Sequence, residues 1–152
     1  MPVAGDRRTA PFRVEGLPSL EFTAIATDGV QPPQLAHGDG PQVGDRIALA
    51  VRDLASGQRV FCAPGLSQIG ATELAWMQQA DCLLLDELPA SDTGGGIGVP
   101  ADTDARQAGL AFLRGLPAHQ KVLFCDAPSD AQRVAWAAVG IALAYDGMEI
   151  EV

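Results

Sequence analysis

The sequence predicts an α/β (α+β) fold, a mixed β-sheet with helices mainly on one face. Three observations lead there. The first third of the chain carries β-branched and apolar runs joined by Asp-Gly and Ser-Gly turn signals, as in antiparallel strands. From Ala71 onward, short apolar runs alternate with stretches of helical period, as in βαβ units. The length of 152 residues fits one domain, and a hydrophobic content of 47% supports a real core.

Residues 1–16 are polar and rich in Arg and Pro, and read as an irregular lead-in to a single domain over residues 17–152. "LEFTAIATD" (20–28) is a strand that ends in a turn. Residues 29–45 form a loop, because Pro32, Pro33 and Pro41 would interrupt a helix or a ladder; connections of that length are often functional or disordered. "RIALAVRDLASGQRVFCAP" (46–64) is a hairpin, with Gly57 supplying the positive φ at its turn. The period then changes. "ATELAWMQQA" (71–80) is a helix with Leu74, Met77 and Trp76 facing the core and Thr72 as its cap. "DCLLLDEL" (81–88) reads as a strand buried on both faces. A helix follows over 102–116, closing at Gly115-Leu116-Pro117, and then the strand "KVLFCDA" (121–127). "SDAQRVAWAAVG" (129–140) is a helix with Ser129 as N-cap and Gly140 as its stop. "IALAYDGMEIEV" closes the chain as a strand, an Asp146-Gly147 turn and a short final strand.

Charge and cysteine usage exclude several function classes. Ten Lys and Arg against nineteen Asp and Glu give a net charge of −9, which repels nucleic acid and anionic bilayers. No apolar stretch approaches the length of a membrane span, so no membrane partner is expected. Three cysteines, Cys62, Cys82 and Cys125, with no CxxC pair suit reduced thiols in the cytoplasm.

The glycine-rich stretch "DTGGGIGVPADTD" (92–104) raises the question of a phosphate cradle. A dinucleotide fingerprint started at Gly94 would need its third small residue where Val99 stands, and no Lys-Ser or Lys-Thr follows Gly98. The flanking Asp92, Asp102 and Asp104 repel a polyphosphate further. The stretch reads as a remodelled connection.

"FTAIATDGVQPP", "HGDGPQVGDRIAL", "FCAPGL", "ADCLLLDE" and "AYDGMEIEV" together resemble the PqqB proteins of pyrroloquinoline quinone (PQQ) biosynthesis, within the metallo-β-lactamase fold superfamily. The resemblance runs from about residue 13 to the end and matches the C-terminal part of such a protein. It implies the C-terminal half of an αββα sandwich, with a divalent metal, iron or zinc, at the lip between two β-rich halves. The superfamily's H-x-H-x-D-H loop has no counterpart in this sequence. Gly98-Val99-Pro100 stands where the family carries a Gly-His-Leu-Pro run, and Cys125-Asp126-Ala127 where it carries a histidine strand. The ligand set implied for this chain is therefore incomplete.

Three residues remain as metal candidates under that resemblance. Asp86 matches the family's acid at the end of its strand, and reads either as a ligand or as a strand-end carboxylate bonded to loop amides. His37 matches a histidine in the family's corresponding proline-rich segment. Cys125, as a thiolate, could replace a lost histidine. His119 has no supporting donors, and neither histidine sits in a nucleophile-base context. The expected function is a PqqB-like role in PQQ biosynthesis, acting on or carrying PQQ or its precursor; catalysis by the chain is left open. The alternative is a metal-free half-domain that forms a homodimer or pairs with a partner supplying the missing half, through the apolar sheet face that one half alone would expose.

Overall fold

The computed structural model describes residues 8, 10–27, 46–64, 69–86, 103–124 and 128–152. Six strands and three helices follow in the order β1 (Leu20–Ala26), β2 (Ile47–Asp53), β3 (Arg59–Ala63), α1 (Ala71–Gln79), β4 (Cys82–Leu85), α2 (Thr103–Gly115), β5 (Gln120–Leu123), α3 (Asp130–Ala138) and β6 (Ile141–Leu143). They build one mixed sheet in sequence order, β1-β2-β3-β4-β5-β6. The first three strands pair antiparallel and the last four parallel, as the change of period at Ala71 indicates.

The turns are made by local chemistry. Asp53 closes the β2–β3 hairpin: its Oδ1 accepts from the Ala55 amide at 3.0 Å and its Oδ2 from the Ser56 hydroxyl at 2.8 Å. Those two bonds hold its carboxyl below the usual carboxylate range. Gly57 at φ +80° completes the turn. Ser129 caps α3 through a reciprocal box with Gln132, and Gly140 at φ +78° ends it. The cap of α1 differs from expectation. Gly70, not Thr72, holds the N-cap position, and with no side chain it makes no cap bond; Thr72 lies inside the helix.

All three helices cover the same side of the sheet. Met77 of α1, Leu113 of α2 and Trp136 of α3 join one core with Ile25, Ala48, Phe61, Leu83, Leu85 and Ile141. Consecutive parallel strands joined by right-handed crossovers place their helices in this way. The other face is different. Phe22, Ala24, Leu49, Val51, Val60, Cys62 and Leu84 alternate with the buried residues and are only half-buried. The two central rows of that face, Phe22-Val51-Val60-Cys82-Gln120 and Ala24-Leu49-Cys62-Leu84-Val122-Ala142, carry no charged side chain. Over β4 the expected burial on both faces is found at Cys82 on one side and at Leu83 and Leu85 on the other, with Leu84 half-buried; residues 87 and 88 lie outside the described residues.

The lead-in and the tail flank this sheet. Phe12 exchanges two backbone hydrogen bonds of 2.8 Å with Phe22, and the two rings stack with centroids 5.8 Å apart. At the C-terminus Asp146-Gly147 forms the expected turn, with Gly147 at φ +78°. The short closing strand does not form. Residues 148–152 alternate half-buried Met148, Ile150 and Val152 with exposed Glu149 and Glu151, but join no ladder. The segment is held instead by the Gln120 side-chain amide, which donates to the Glu151 carbonyl.

Candidate functional site at the strand ends

The topology gathers the chemistry-bearing segments at one edge. Strands β3, β4 and β5 are parallel, so Ala63, Leu85 and Leu123 end side by side. Strands β1 and β2 are antiparallel and bring Thr27 and Arg46 to the same edge, where the Thr27 amide donates to the Arg46 carbonyl at 3.1 Å. The carboxyl ends of the strands in an open α/β sheet are where ligands bind. The chain leaves this edge after Thr27, Pro64, Asp86 and Phe124. His37, the stretch 92–102 and Cys125 follow three of these exits and lie outside the described residues.

Asp86 is described. It is half-buried at the end of β4, and its negative charge acts on Cys62 of β3. Burial, and secondarily Asp86, push the Cys62 thiol above its usual range. The Cys82 thiol is pushed up as well, by burial first and by Cys62 second. Both thiols point to the half-open sheet face, and both stay protonated at neutral pH, which makes them weak nucleophiles and weak metal ligands. Neither forms a disulfide.

Two further groups stand at this edge. The Thr27 side chain is 8% exposed, and among the described residues its buried Oγ1 has no hydrogen-bond partner. Leaving such a hydroxyl unsatisfied costs about 1–3 kcal/mol. Glu73, in the first turn of α1, is 5% exposed and turns back over Gly70; a Cβ at position 70 would stand 2.7 Å from its Oε2. A side chain at position 70 would displace that carboxylate from its place over the helix start. Sequence reasoning missed Glu73. Its signal was an acid three residues after Gly70, the N-cap-to-N3 spacing of a capping box, which the choice of Thr72 as cap obscured. His119 is exposed just before β5, at the opposite edge.

Among the described residues no group of three or more His, Cys, Asp or Glu side chains is arranged to hold a metal ion. A zinc site requires three or four convergent donors, and Asp86 with a protonated Cys62 does not meet that requirement. No described helix is long and apolar enough to cross a membrane.

No family model matches the chain. It is 36% identical over 160 aligned residues to coenzyme PQQ synthesis protein B of Pseudomonas paraeruginosa, covering 93% of this chain and 52% of that protein. It is 35% identical over 158 residues to the protein of the same name from Klebsiella pneumoniae, covering 92% and 51%. The crystal structure of Zn²⁺-bound PqqB from Methylobacterium extorquens superposes with a TM-score of 0.66 at 20% identity, over 94% of this chain and 53% of that one. The chain thus spans about half the length of the curated relatives it matches, and its mixed sheet with three helices corresponds to half of the PqqB fold.

Proposed function

The chain is a homologue of the PqqB proteins, matched along nearly its whole length to about half of theirs, and from that premise we propose that it serves the biosynthesis of coenzyme PQQ. The observation that carries this reading is the continuous identity of about a third over 93% of the chain, together with the shared fold. In this reading the chain works in the cytoplasm, where Cys62 and Cys82 remain free thiols, and handles PQQ or its precursor at the strand-end edge near Asp86. Deleting the chain's coding sequence from its source organism is expected to abolish or sharply lower PQQ measured by mass spectrometry in cell extract, and restoring it is expected to recover the level. Unchanged PQQ would refute the role.

A second reading rests on the uncharged, half-open sheet face. It concerns how the chain is completed. The occupant of that face is a β-rich half-domain of the same architecture, supplied in the same polypeptide or in another, so that two sheets pack with their apolar faces together. The metal chemistry of the complete assembly then draws ligands from outside the residues described here. Loaded anaerobically with Zn²⁺ or Fe²⁺ and dialysed, this chain alone is expected to retain well under one ion per molecule by elemental analysis. One retained equivalent would show that it holds a complete site by itself.

A further inference from the structure

At the opposite edge of the sheet from Asp86, the helix-covered face opens into a cavity of about 100 Å³ between the strands β1, β2 and β3 and the helix α1. Its floor is Thr23, only 5% exposed, beside Ala50. Glu21, Arg52 and Arg59 stand in register across the three strands and line one side; Trp76 and Gln79 of α1 line the other. The register sets two arginines directly opposite each other on the same face of the β2–β3 ladder. Like charges in that position repel, and the pair persists at a cost unless an anion sits between them.

The residues that line the cavity carry a net positive charge, although Glu21 stands opposite Arg52 and Asp81 lies beside Arg59 in the same row. The Arg59 Nη1 donates to the neutral Oε1 of Gln79. The carboxylate of Asp81, next in the same row, is committed to the backbone, its Oδ2 accepting from the Arg59 amide at 2.8 Å. Among the described residues Glu21 is the single carboxylate lining the cavity, against two arginines, on a chain whose net charge is −9. The C-terminal end of α1 reaches the same space and opposes an anion, so both guanidinium groups are needed to hold one.

We propose that this cavity binds a small carboxylate anion, gripped between the guanidinium groups of Arg52 and Arg59. Their planar forks match the two carboxylate oxygens, Thr23 offers a hydroxyl donor from the floor, and Trp76 gives a short carbon chain an apolar wall. The volume fits an acid of a few carbon atoms. The site lies away from the strand-end edge and does not depend on the role proposed there.

The test is a titration of the ¹⁵N-labelled chain with acetate and with malonate, followed by amide and indole NMR shifts, with sodium chloride and sodium phosphate in parallel at matched ionic strength. Saturable shifts at the Trp76 indole and at the Thr23 and Arg59 amides are expected with malonate and not with chloride. Arg52→Gln and Arg59→Gln are each expected to weaken binding at least tenfold, and Arg133→Gln on α3 to leave it unchanged. Arg52 is exposed, so its variant keeps the fold, which a dispersed amide spectrum verifies. Shifts that do not saturate, binding retained in Arg52→Gln, or phosphate binding more tightly than either carboxylate would each overturn the proposal.

Discussion

Cys62 and Cys82 link the half-open sheet face to a measurable pH dependence. Burial raises both thiols above their usual value in the folded chain. In the unfolded chain they ionise near the ordinary thiol value of 9.0. Above that pH the unfolded chain gives up protons that the folded chain still holds, so this contribution to stability is complete at neutral pH and is lost as pH rises past the unfolded value. Thermal melts followed by circular dichroism should therefore show a decline in Tm above about pH 9 that is shallower in Cys62→Ala. An identical pH profile in the variant would refute the assignment. Gly140 makes a second residue-scale prediction. Its φ of +78° disfavours any L side chain, although a Cβ there would meet nothing within 4 Å. Gly140→Ala should cost about 1 kcal/mol in urea denaturation, from backbone strain alone. Gly57, Gly140 and Ser129 were legible in the sequence because each acts within a few residues of itself. Glu73 was not, because its burial is set by how α1 docks after β3. Of the metal candidates only Asp86 falls among the described residues, so for His37 and Cys125 the sequence remains the source of the expectation.

At the scale of elements, α3 is fixed locally at both ends. Ser129 Oγ accepts from the Gln132 amide at 3.2 Å while Gln132 Oε1 accepts from the Ser129 amide at 2.9 Å. Removing half of that box in Ser129→Ala should destabilise the protein by about 1 kcal/mol in urea melts, with Ser129→Asn close to the parent. Equal loss in both variants would argue against a capping role. The order of strands and helices was readable because each apolar run is short and each is punctuated by Gly, Pro or an acid. The final segment shows the limit of that reading. Alternation at Met148, Ile150 and Val152 encodes which side is buried, but it does not encode a neighbouring strand with free backbone groups. Thr72 failed as a cap for a related reason: the helix start was decided by Gly70 and the folded-back Glu73, beyond the reach of cap preference alone.

At the scale of the molecule, the sheet is closed on one side and half-open on the other. The covered side buries Ile25, Phe61, Leu83 and Ile141 under three helices. The second side presents Leu49, Val51 and Val60 only half-buried, with Ile47 48% and Phe12 42% exposed near its margins. A monomer with an uncharged apolar sheet face of this kind is expected to bind a matching surface. The rest of the chain is strongly acidic, and its net charge of −9 opposes self-association, which favours a complementary half over a second copy. Val51→Lys, on a half-exposed position, should change folding stability by less than about 1 kcal/mol while removing the docking surface. In the proposed reading the chain supplies one helix-backed sheet of a two-sheet fold. The direct measurement is sedimentation velocity of this chain mixed with the separately expressed remainder of the Pseudomonas paraeruginosa relative, the part it does not match. A one-to-one complex at micromolar concentration, abolished by Val51→Lys, is the predicted result. A chain that stays monomeric in the mixture, or that pairs with itself through the same face, would contradict the account.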